Sequence, residues 1–368
     1  MRKLLVTGGA GFIGGNFVHY WCREHPEDRV VVLDALTYAG NLATLEPMLS
    51  ADAMTFVRGD IADRPLVEEL LRDHVIDTLV HFAAESHVDR SILDPDAFVR
   101  TNVLGTQALL SACRTVWNAD GQWREGTRFH HVSTDEVYGS LAPDDPPFSE
   151  TTPYAPNSPY AASKAGADHL VRAFMHTYDM PATISNCSNN YGPYHFPEKL
   201  IPLTIVNALH GKPLPVYGDG LQVRDWLYVE DHCVAIERII VDGRPGETFN
   251  VGGRAEHVNI DIVRRLCREL DDRFLRDDSL ASRFPDCPAA TDSPCESLIT
   301  FVKDRSGHDR RYAIDPTLIA SRLRFEPRET LETGLSRTVD WYLTNEPWWR
   351  AVMDGSYSTW VRQQYQER

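Results

Sequence analysis

Thr7-Gly8-Gly9-Ala10-Gly11-Phe12-Ile13-Gly14 is the stretch on which the reading of this chain turns. The apolar run Lys3–Thr7 before it reads as a strand, and Phe12–Arg23 after it as a helix. The glycines fall as G-x-x-G-x-x-G, one residue wider than the usual dinucleotide fingerprint. Gly8 permits a tight turn, Gly11 lets the backbone approach a pyrophosphate, and Gly14 allows close packing of helix on sheet. The helix N-terminus then faces phosphate with free N–H groups and the positive end of its dipole. An ordinary glycine turn would collect glycines too. The strand before, the helix after and the N-terminal position favour the dinucleotide site. Asp34 ends the second strand, 20 residues beyond Gly14. A carboxylate there accepts hydrogen bonds from ribose hydroxyls and repels a 2′-phosphate, so NAD is expected rather than NADP. A turn or N-cap aspartate is the plainer use of the residue. Asp60-Ile61 closes the third strand in the same way and would frame the adenine.

Outward from that loop, short apolar runs alternate with amphipathic stretches. Val30–Leu33, Thr55–Arg58, Thr78–Phe82 and Arg128–Ser133 read as further strands; Leu66–His74 and Asp96–Trp117 read as helices. Such alternation implies βαβ units and a parallel sheet covered on both faces. The run Val30-Val31-Val32-Leu33 suits a strand buried on both sides. From about Asn190 prolines and aromatic residues crowd in and the rhythm weakens. The expected architecture is α/β, a Rossmann-type doubly wound parallel sheet with a smaller mixed C-terminal substrate domain. The first domain spans residues 1–188 and carries the catalytic residues. Residues 189–368 mainly form the second, with some elements returning to the first. Ser279–Ser297 is aperiodic and is expected to be a surface loop.

Bulk composition excludes several classes. With 368 residues, 42% hydrophobic and 24% charged, the chain has the make-up of a globular protein. A net charge of −16 argues against a nucleic-acid polymer or an anionic membrane as partner. Seven scattered cysteines without a C-x-x-C pair argue against a disulfide framework or a zinc site. The apolar run after Met1-Arg2-Lys3 is too short for a signal peptide, and no later run reaches the ~18 residues of a membrane span. A cytoplasmic protein without a metal is expected.

Two clusters carry the chemistry. Tyr160 and Lys164 stand four apart in Pro159-Tyr160-Ala161-Ala162-Ser163-Lys164, on one face of a helix. A nearby ammonium, with a cationic nicotinamide ring, is expected to lower the tyrosine pKa toward the working range. That tyrosine can then take a proton from a sugar hydroxyl while hydride leaves the same carbon. Val132-Ser133-Thr134-Asp135-Glu136-Val137-Tyr138-Gly139 follows a strand, where a Rossmann sheet presents residues to its ligand. Adjacent acids there form either a solvated turn or an acid–base pair, one carboxyl protonated and the other ionised.

These motifs resemble the extended short-chain dehydrogenase/reductase family, in its dTDP-glucose 4,6-dehydratase branch. Also carrying the resemblance are Leu36–Asn41, Ala83–Ser91, Ser188–Leu200, Arg224-Asp225-Trp226 and Gly307–Tyr312. The resemblance implies dehydration of dTDP-glucose to dTDP-4-keto-6-deoxyglucose. Thr134 would bind the 4-hydroxyl, and Tyr160, with Lys164, would deprotonate it as C4 gives hydride to NAD. Glu136 would take the C5 proton and Asp135 would protonate the departing 6-hydroxyl. For NAD it implies Gly8, Gly11, Phe12, Ile13, Gly14, Asp34, Leu36, Thr37, Asp60, Ile61, Ala83, Ala84, Ser86, Thr101, Tyr160, Lys164 and Asn190. For the sugar nucleotide it implies Ser86, Thr134, Asn189, Lys199, Leu200, Pro215, Tyr217, Arg224, Asn259, Arg305 and His308. Lys199, Arg224 and Arg305 make physical sense beside a pyrophosphate, although a surface ion pair is the plainer use of each. Ser306 departs from the family, where proline is common.

The family also implies a homodimer joined through a helix bundle. The helices around Asp96–Trp117 and Tyr160–Tyr178 are the candidates, with Phe98, Val103, Leu104, Leu109 and Leu110 as apolar surface. Competing readings are a 4,6-dehydratase or 4-epimerase for another nucleotide sugar, and a silent NAD-binding scaffold. The acid pair Asp135 and Glu136 argues against simple epimerisation, which needs no acid at C6.

Overall fold

The computed structural model describes residues 1–304 and 307–353. Arg305 and Ser306 lie outside the described residues. In chain order the strands are β1 (Lys3–Thr7), β2 (Arg29–Asp34), β3 (Thr55–Arg58), β4 (Thr78–His81), β5 (Arg128–Thr134), β6 (Ala182–Cys187), β7 (Asn189–Tyr191), β8 (Leu214–Tyr217), β9 (Val223–Tyr228), β10 (Thr248–Val251), β11 (Glu256–Val258) and β12 (Ile299–Val302). A two-residue ladder, Asn118–Ala119 with Gln122–Trp123, stands apart. The longer helices are α1 (Phe12–Glu24), α2 (Arg64–Asp73), α3 (Thr106–Trp117), α4 (Pro159–Tyr178), α5 (Leu200–Leu209), α6 (Val229–Asp242), α7 (Asn259–Arg276) and α8 (Leu331–Thr344).

Seven strands form one parallel sheet in the order β10-β6-β5-β4-β1-β2-β3. Side chains alternate across it. Leu4, Val6, Val30, Val32 and Val80 face α1 and α6. Leu5, Val31, Leu79, Phe129 and Ile184 face α2, α3 and α4. Each side chain so buried contributes roughly 2 kcal/mol, so the sheet holds its strand ends rigidly. The chain runs outward from β1 through β2 to β3, then returns to β4 on the other side of β1. The strand order reverses there, and a doubly wound sheet opens its ligand crevice at that point.

A second core lies beside the sheet. It is built by α5, α7 and α8 around Ile205, Leu266, Leu335 and Tyr342, with the ladders β8–β12 and β11–β9–β7. The segment Ser279–Ser297 belongs to this core and is not a surface loop. It forms a short helix, Ser279–Arg283, and two 3-10 turns, and it buries Leu280, Phe284, Cys287 and Cys295. Pro285, Pro288 and Pro294 break the segment into short turns, which is why the sequence looks structureless there. The Cys287 and Cys295 sulfurs stand 3.7 Å apart as free thiols.

The stretch Asp96–Trp117 is not one regular helix. Pro95–Phe98 is a single turn, Val99–Gly105 widens into a π-helix, and α3 follows. Widened turns of this kind collect at functional sites. Of the apolar residues expected on its surface, Phe98, Leu109 and Leu110 are buried within this chain. The exposed ones are Leu104 and its neighbours Ile92, Leu93 and Val99.

Gly334 sits inside α8, where the added Cβ of an alanine would collide with the Tyr191 hydroxyl. Helix propensity alone favours alanine by about 1 kcal/mol. Overpacking costs roughly 1–3 kcal/mol. Gly334→Ala is therefore expected to lower the melting temperature, measured by calorimetry, instead of raising it.

Candidate active site

Gly8 opens the crevice. Its φ is +73°, and a Cβ there would stand 2.5 Å from the Ala83 nitrogen, so β1 and the loop after β4 touch through backbone alone. A Cβ on Gly14 would collide with the Gly8 carbonyl, which fixes the entry of α1. Gly11 is different: its Cβ would meet only the Gly8 oxygen, at 3.3 Å. Gly11 also caps α1 without any side-chain hydrogen bond, so the first turn keeps its donors for another acceptor. An open cradle at an uncapped helix end fits a dinucleotide pyrophosphate.

Asp34 ends β2, nearly buried, and accepts from the Ala10 and Leu36 amides at 2.9 and 2.8 Å. Burial pushes its carboxyl up while these two amides pull it down. Leu36 holds a left-handed φ of +54°, and Thr37 accepts from Gly40, closing the loop over Asp34. Backbone strain in a non-glycine residue collects at binding loops. Asp60, two residues past β3, accepts from the Ala62 amide, and Ile61 packs into the core. The Phe12 ring stacks on His195 at 4.0 Å, beside Ile13. Thr101 lies in the π-helix, and Ala83, Ala84 and Ser86 follow β4.

Residues from two segments meet at the C-terminal end of β5. β5 delivers Thr134, and a 3-10 turn then carries Asp135 and Glu136. Helix α4 brings Tyr160 and Lys164; Ser158 caps it by accepting from Ala161, and Pro159 starts it. Asp135 is 2% exposed, and its Oδ2 has no hydrogen-bond partner among the described residues. Burial pushes its carboxyl well above the usual range, and Glu136 and Asp225 add to this against Arg224. Lys164 donates to the Val132 carbonyl at 2.9 Å.

Tyr160 departs from expectation. Burial raises its phenol well above 10, and the Glu136 charge raises it further, while a hydrogen bond with Thr134 lowers it. The nearby ammonium does not reverse the effect of desolvation, because its charge is directed at a carbonyl.

The second core supplies the other wall. Asn189 and Asn190 lie on β7; the Asn189 Oδ1 and the Asn259 Oδ1 are buried with no hydrogen-bond partner among the described residues. Asn190 donates to the Ser188 carbonyl and pairs with His232 at 2.9 Å. Lys199, just before Leu200 and α5, donates to the Ser86 carbonyl at 3.1 Å. Arg224 is nearly buried, donates to the Asp309 carbonyl and lies 4.3 Å over the Tyr312 ring. Tyr217, next but one to Pro215 on β8, reaches Asp89 at 3.4 Å and packs edge-on to His308. Arg305 lies outside the described residues.

Two braces were not singled out from the sequence. Asn102 links the Glu85 backbone to Ser163 on α4, at 2.9 to 3.0 Å and 2.8 Å. Asp225 accepts from the Gly253 and Ala255 amides. An asparagine inside a helical pattern is the only signal the first one leaves.

Comparison with known proteins follows this geometry. The family model described as GDP-mannose 4,6 dehydratase matches residues 5–338. A dTDP-glucose 4,6-dehydratase of Xanthomonas campestris pv. campestris is 57% identical over 358 residues, 97% of either chain. The dTDP-glucose 4,6-dehydratase 1 of Escherichia coli is 49% identical over 100% of this chain and 99% of that one. Among solved structures, the dTDP-glucose 4,6-dehydratase of Streptomyces venezuelae, with NAD bound, superposes with a TM-score of 0.82 at 43% identity, covering 95% of this chain and all of that one. A UDP-glucose 4-epimerase of Thermotoga maritima gives 0.78 at 25% identity, over 94% of this chain and 100% of that one. Taken with the acid pair Asp135 and Glu136 beside Tyr160 and Lys164, these likenesses mean that the chain belongs to the dTDP-glucose 4,6-dehydratase family of extended short-chain dehydrogenases/reductases.

Proposed function

We propose that this chain is an NAD-dependent hydro-lyase that converts dTDP-glucose to dTDP-4-keto-6-deoxyglucose. The observation that carries the reading is Asp135, a buried carboxyl adjacent to Glu136 that burial pushes well above the usual carboxylate range. Elimination beside a carbonyl needs one acid and one base, and epimerisation at C4 needs neither at C6. The full-length relatives bear the same activity in their names.

The cofactor's part, when NAD is bound, is to accept hydride from C4 and return it at C6, and its ring charge favours the Tyr160 phenolate. Gly8, Gly11 and Gly14, with Asp34, would hold its pyrophosphate and ribose; the loops with Leu36, Thr37, Asp60, Ile61, Ala83, Ala84, Ser86, Thr101 and Asn190 would line the rest. Tyr160 takes the proton of the 4-hydroxyl, which Thr134 orients. The C4 carbonyl acidifies C5, and Glu136 removes that proton. Asp135 protonates the 6-hydroxyl, which leaves as water. Glu136 returns its proton to C5, and the proton from the 4-hydroxyl replaces the one Asp135 gave, so the balance is loss of one water. Lys199 and Arg224, with Arg305, would face the diphosphate. Asn189, Asn259, Pro215, Tyr217 and His308 would line the nucleoside side.

The reading is tested by mass spectrometry of dTDP-glucose incubated with the protein, with and without added NAD. Loss of one water without net accumulation of NADH is expected. An unchanged mass with altered C4 would mean an epimerase, and no turnover would send the search to other nucleotide sugars. Glu136→Gln is expected to slow water loss by roughly 10²- to 10⁴-fold. NAD binding, followed by fluorescence quenching, should not change; an equal loss of both would show a damaged fold.

The reading includes a homodimer in the reducing cytoplasm, where thiols stay reduced. Ile92, Leu93, Val99 and Leu104 form an exposed apolar group on the helices before and through the π-stretch, and such a group needs a cover. Leu104→Glu is expected to convert a dimer to a monomer in light scattering. A wild-type mass of one chain, or a mutant that remains dimeric, contradicts that arrangement.

A further inference from the structure

Behind the acid pair lies a buried charge that the reaction above does not use. Asp168, on α4, is fully buried. Its Oδ2 accepts from the Ser133 hydroxyl at 2.9 Å, the Tyr154 hydroxyl at 2.8 Å and the Asn186 amide at 3.2 Å. That amide also reaches the Thr134 carbonyl at 3.2 Å. The His131 Nε2 lies 3.1 Å from the other oxygen. Asp168 thus fastens α4 to β5 next to the residues that enter the site. It also follows Lys164 by four positions, on the same face of the helix.

The neighbouring groups leave few charges. His131 on β5 is pushed down to about 4 by burial, and His81 on β4 well below its usual value for the same reason. Cys187 on β6 is pushed up to about 12 by burial. Burial likewise raises Tyr138 and Tyr154, on the loops beside α4. All five are neutral at pH 7. Arg172, further along α4, is engaged with the Tyr154 hydroxyl at 3.1 Å. Lys164 and Asp168, four apart on one face of α4, then remain as the opposite charges of this buried cluster, where a pair is screened less than at the surface.

We propose that Asp168 is a positioning residue for the dehydration: its carboxylate keeps Lys164 an ammonium and clamps the helix of Tyr160 and Lys164 to the strand that ends in Thr134. The proposal rests on the dehydratase reading for its meaning, and its physical content is independent of substrate. Burial pushes Lys164 below the usual lysine range, and Asp168 is the leading opposing influence. Burial pushes Asp168 up, but His131, Lys164 and Ser133 together bring it below the ordinary carboxylate value. Without the carboxylate, Lys164 would lose its proton at lower pH.

The chain has five lysines, Lys3, Lys164, Lys199, Lys212 and Lys303, so carbon-13 labelling at the lysine ε-carbon gives a spectrum simple enough to titrate. The Lys164 resonance is assigned by its loss in Lys164→Arg. In the wild-type protein without ligand, Lys164 is expected to remain an ammonium through pH 7; a neutral lysine at pH 7 overturns the proposal even if no variant folds. In Asp168→Asn the midpoint is expected to fall by about one pH unit or more, and Asp168→Glu should recover most of it. Ser133→Ala removes a hydrogen bond to the same carboxylate but no charge, and should leave the midpoint in place. The alkaline limb of kcat for dTDP-glucose should move down in Asp168→Asn with the lysine midpoint. A uniform loss of kcat with an unmoved midpoint would reduce Asp168 to a structural role and overturn the proposal. If the midpoint falls but the wild-type protein does not dehydrate dTDP-glucose, the charge pairing stands and the dehydratase reading fails.

Discussion

Backbone contact between the turn after β1 and the loop after β4 is the constraint on which this molecule depends. The left-handed Gly8 presses against Ala83 with no side chain between them. Every element of the site is placed from that seam. The first turn of α1 points into the crevice because Gly14 lets it pass under the Gly8 carbonyl. The loop after β4 then runs past Ser86, whose carbonyl receives Lys199 from the second core. One seam in the sheet therefore sets the spacing between the loop after β4 and the start of α5, which are more than a hundred positions apart in the chain.

A second layer of order is electrostatic. The C-terminal ends of β5 and β6 and the start of α4 bring carboxyls, a phenol and an ammonium together out of water. Desolvation opposes each charge, so charges persist there only where a partner holds them. Asp135 has one long hydrogen bond, from the Thr134 hydroxyl at 3.3 Å, and its carboxyl is pushed well above the usual range. Asp168 has three hydrogen-bond donors and is held below that range. Two aspartates with the same intrinsic acidity are thereby driven in opposite directions.

How much of this was legible in the sequence follows from the range of the interactions. The strands Lys3–Thr7 and Thr55–Arg58 have the bounds read from the sequence; the first is a central strand whose buried faces leave an apolar run, the second an edge strand with a short β-rich core. The glycine loop was legible because its chemistry is local. The π-helix at Val99–Gly105 was not: it accommodates Asn102, whose partners Glu85 and Ser163 lie 17 and 61 residues away. The segment Ser279–Ser297 misled for a related reason. Its buried residues pack against α7, but Pro285, Pro288 and Pro294 divide them among short turns that announce no regular element. The state of Tyr160 was also beyond sequence reasoning. Tyr160 and Lys164 share a helical face, as their spacing requires, but the direction in which the ammonium points is set by the Val132 carbonyl on another element.

The raised phenol of Tyr160 has a mechanistic consequence. A tyrosine held neutral by burial and by the Glu136 charge is a poor base before ligands arrive. A positive charge brought next to it offsets both effects, whereas a neutral ligand offsets neither. Base strength in this site is therefore coupled to the charge of what occupies the cofactor crevice. Glu136 strengthens the coupling: while ionised it opposes the phenolate, and once it has taken a proton that opposition disappears. An ionised Glu136 thus keeps Tyr160 a weak base until a positive charge occupies the crevice.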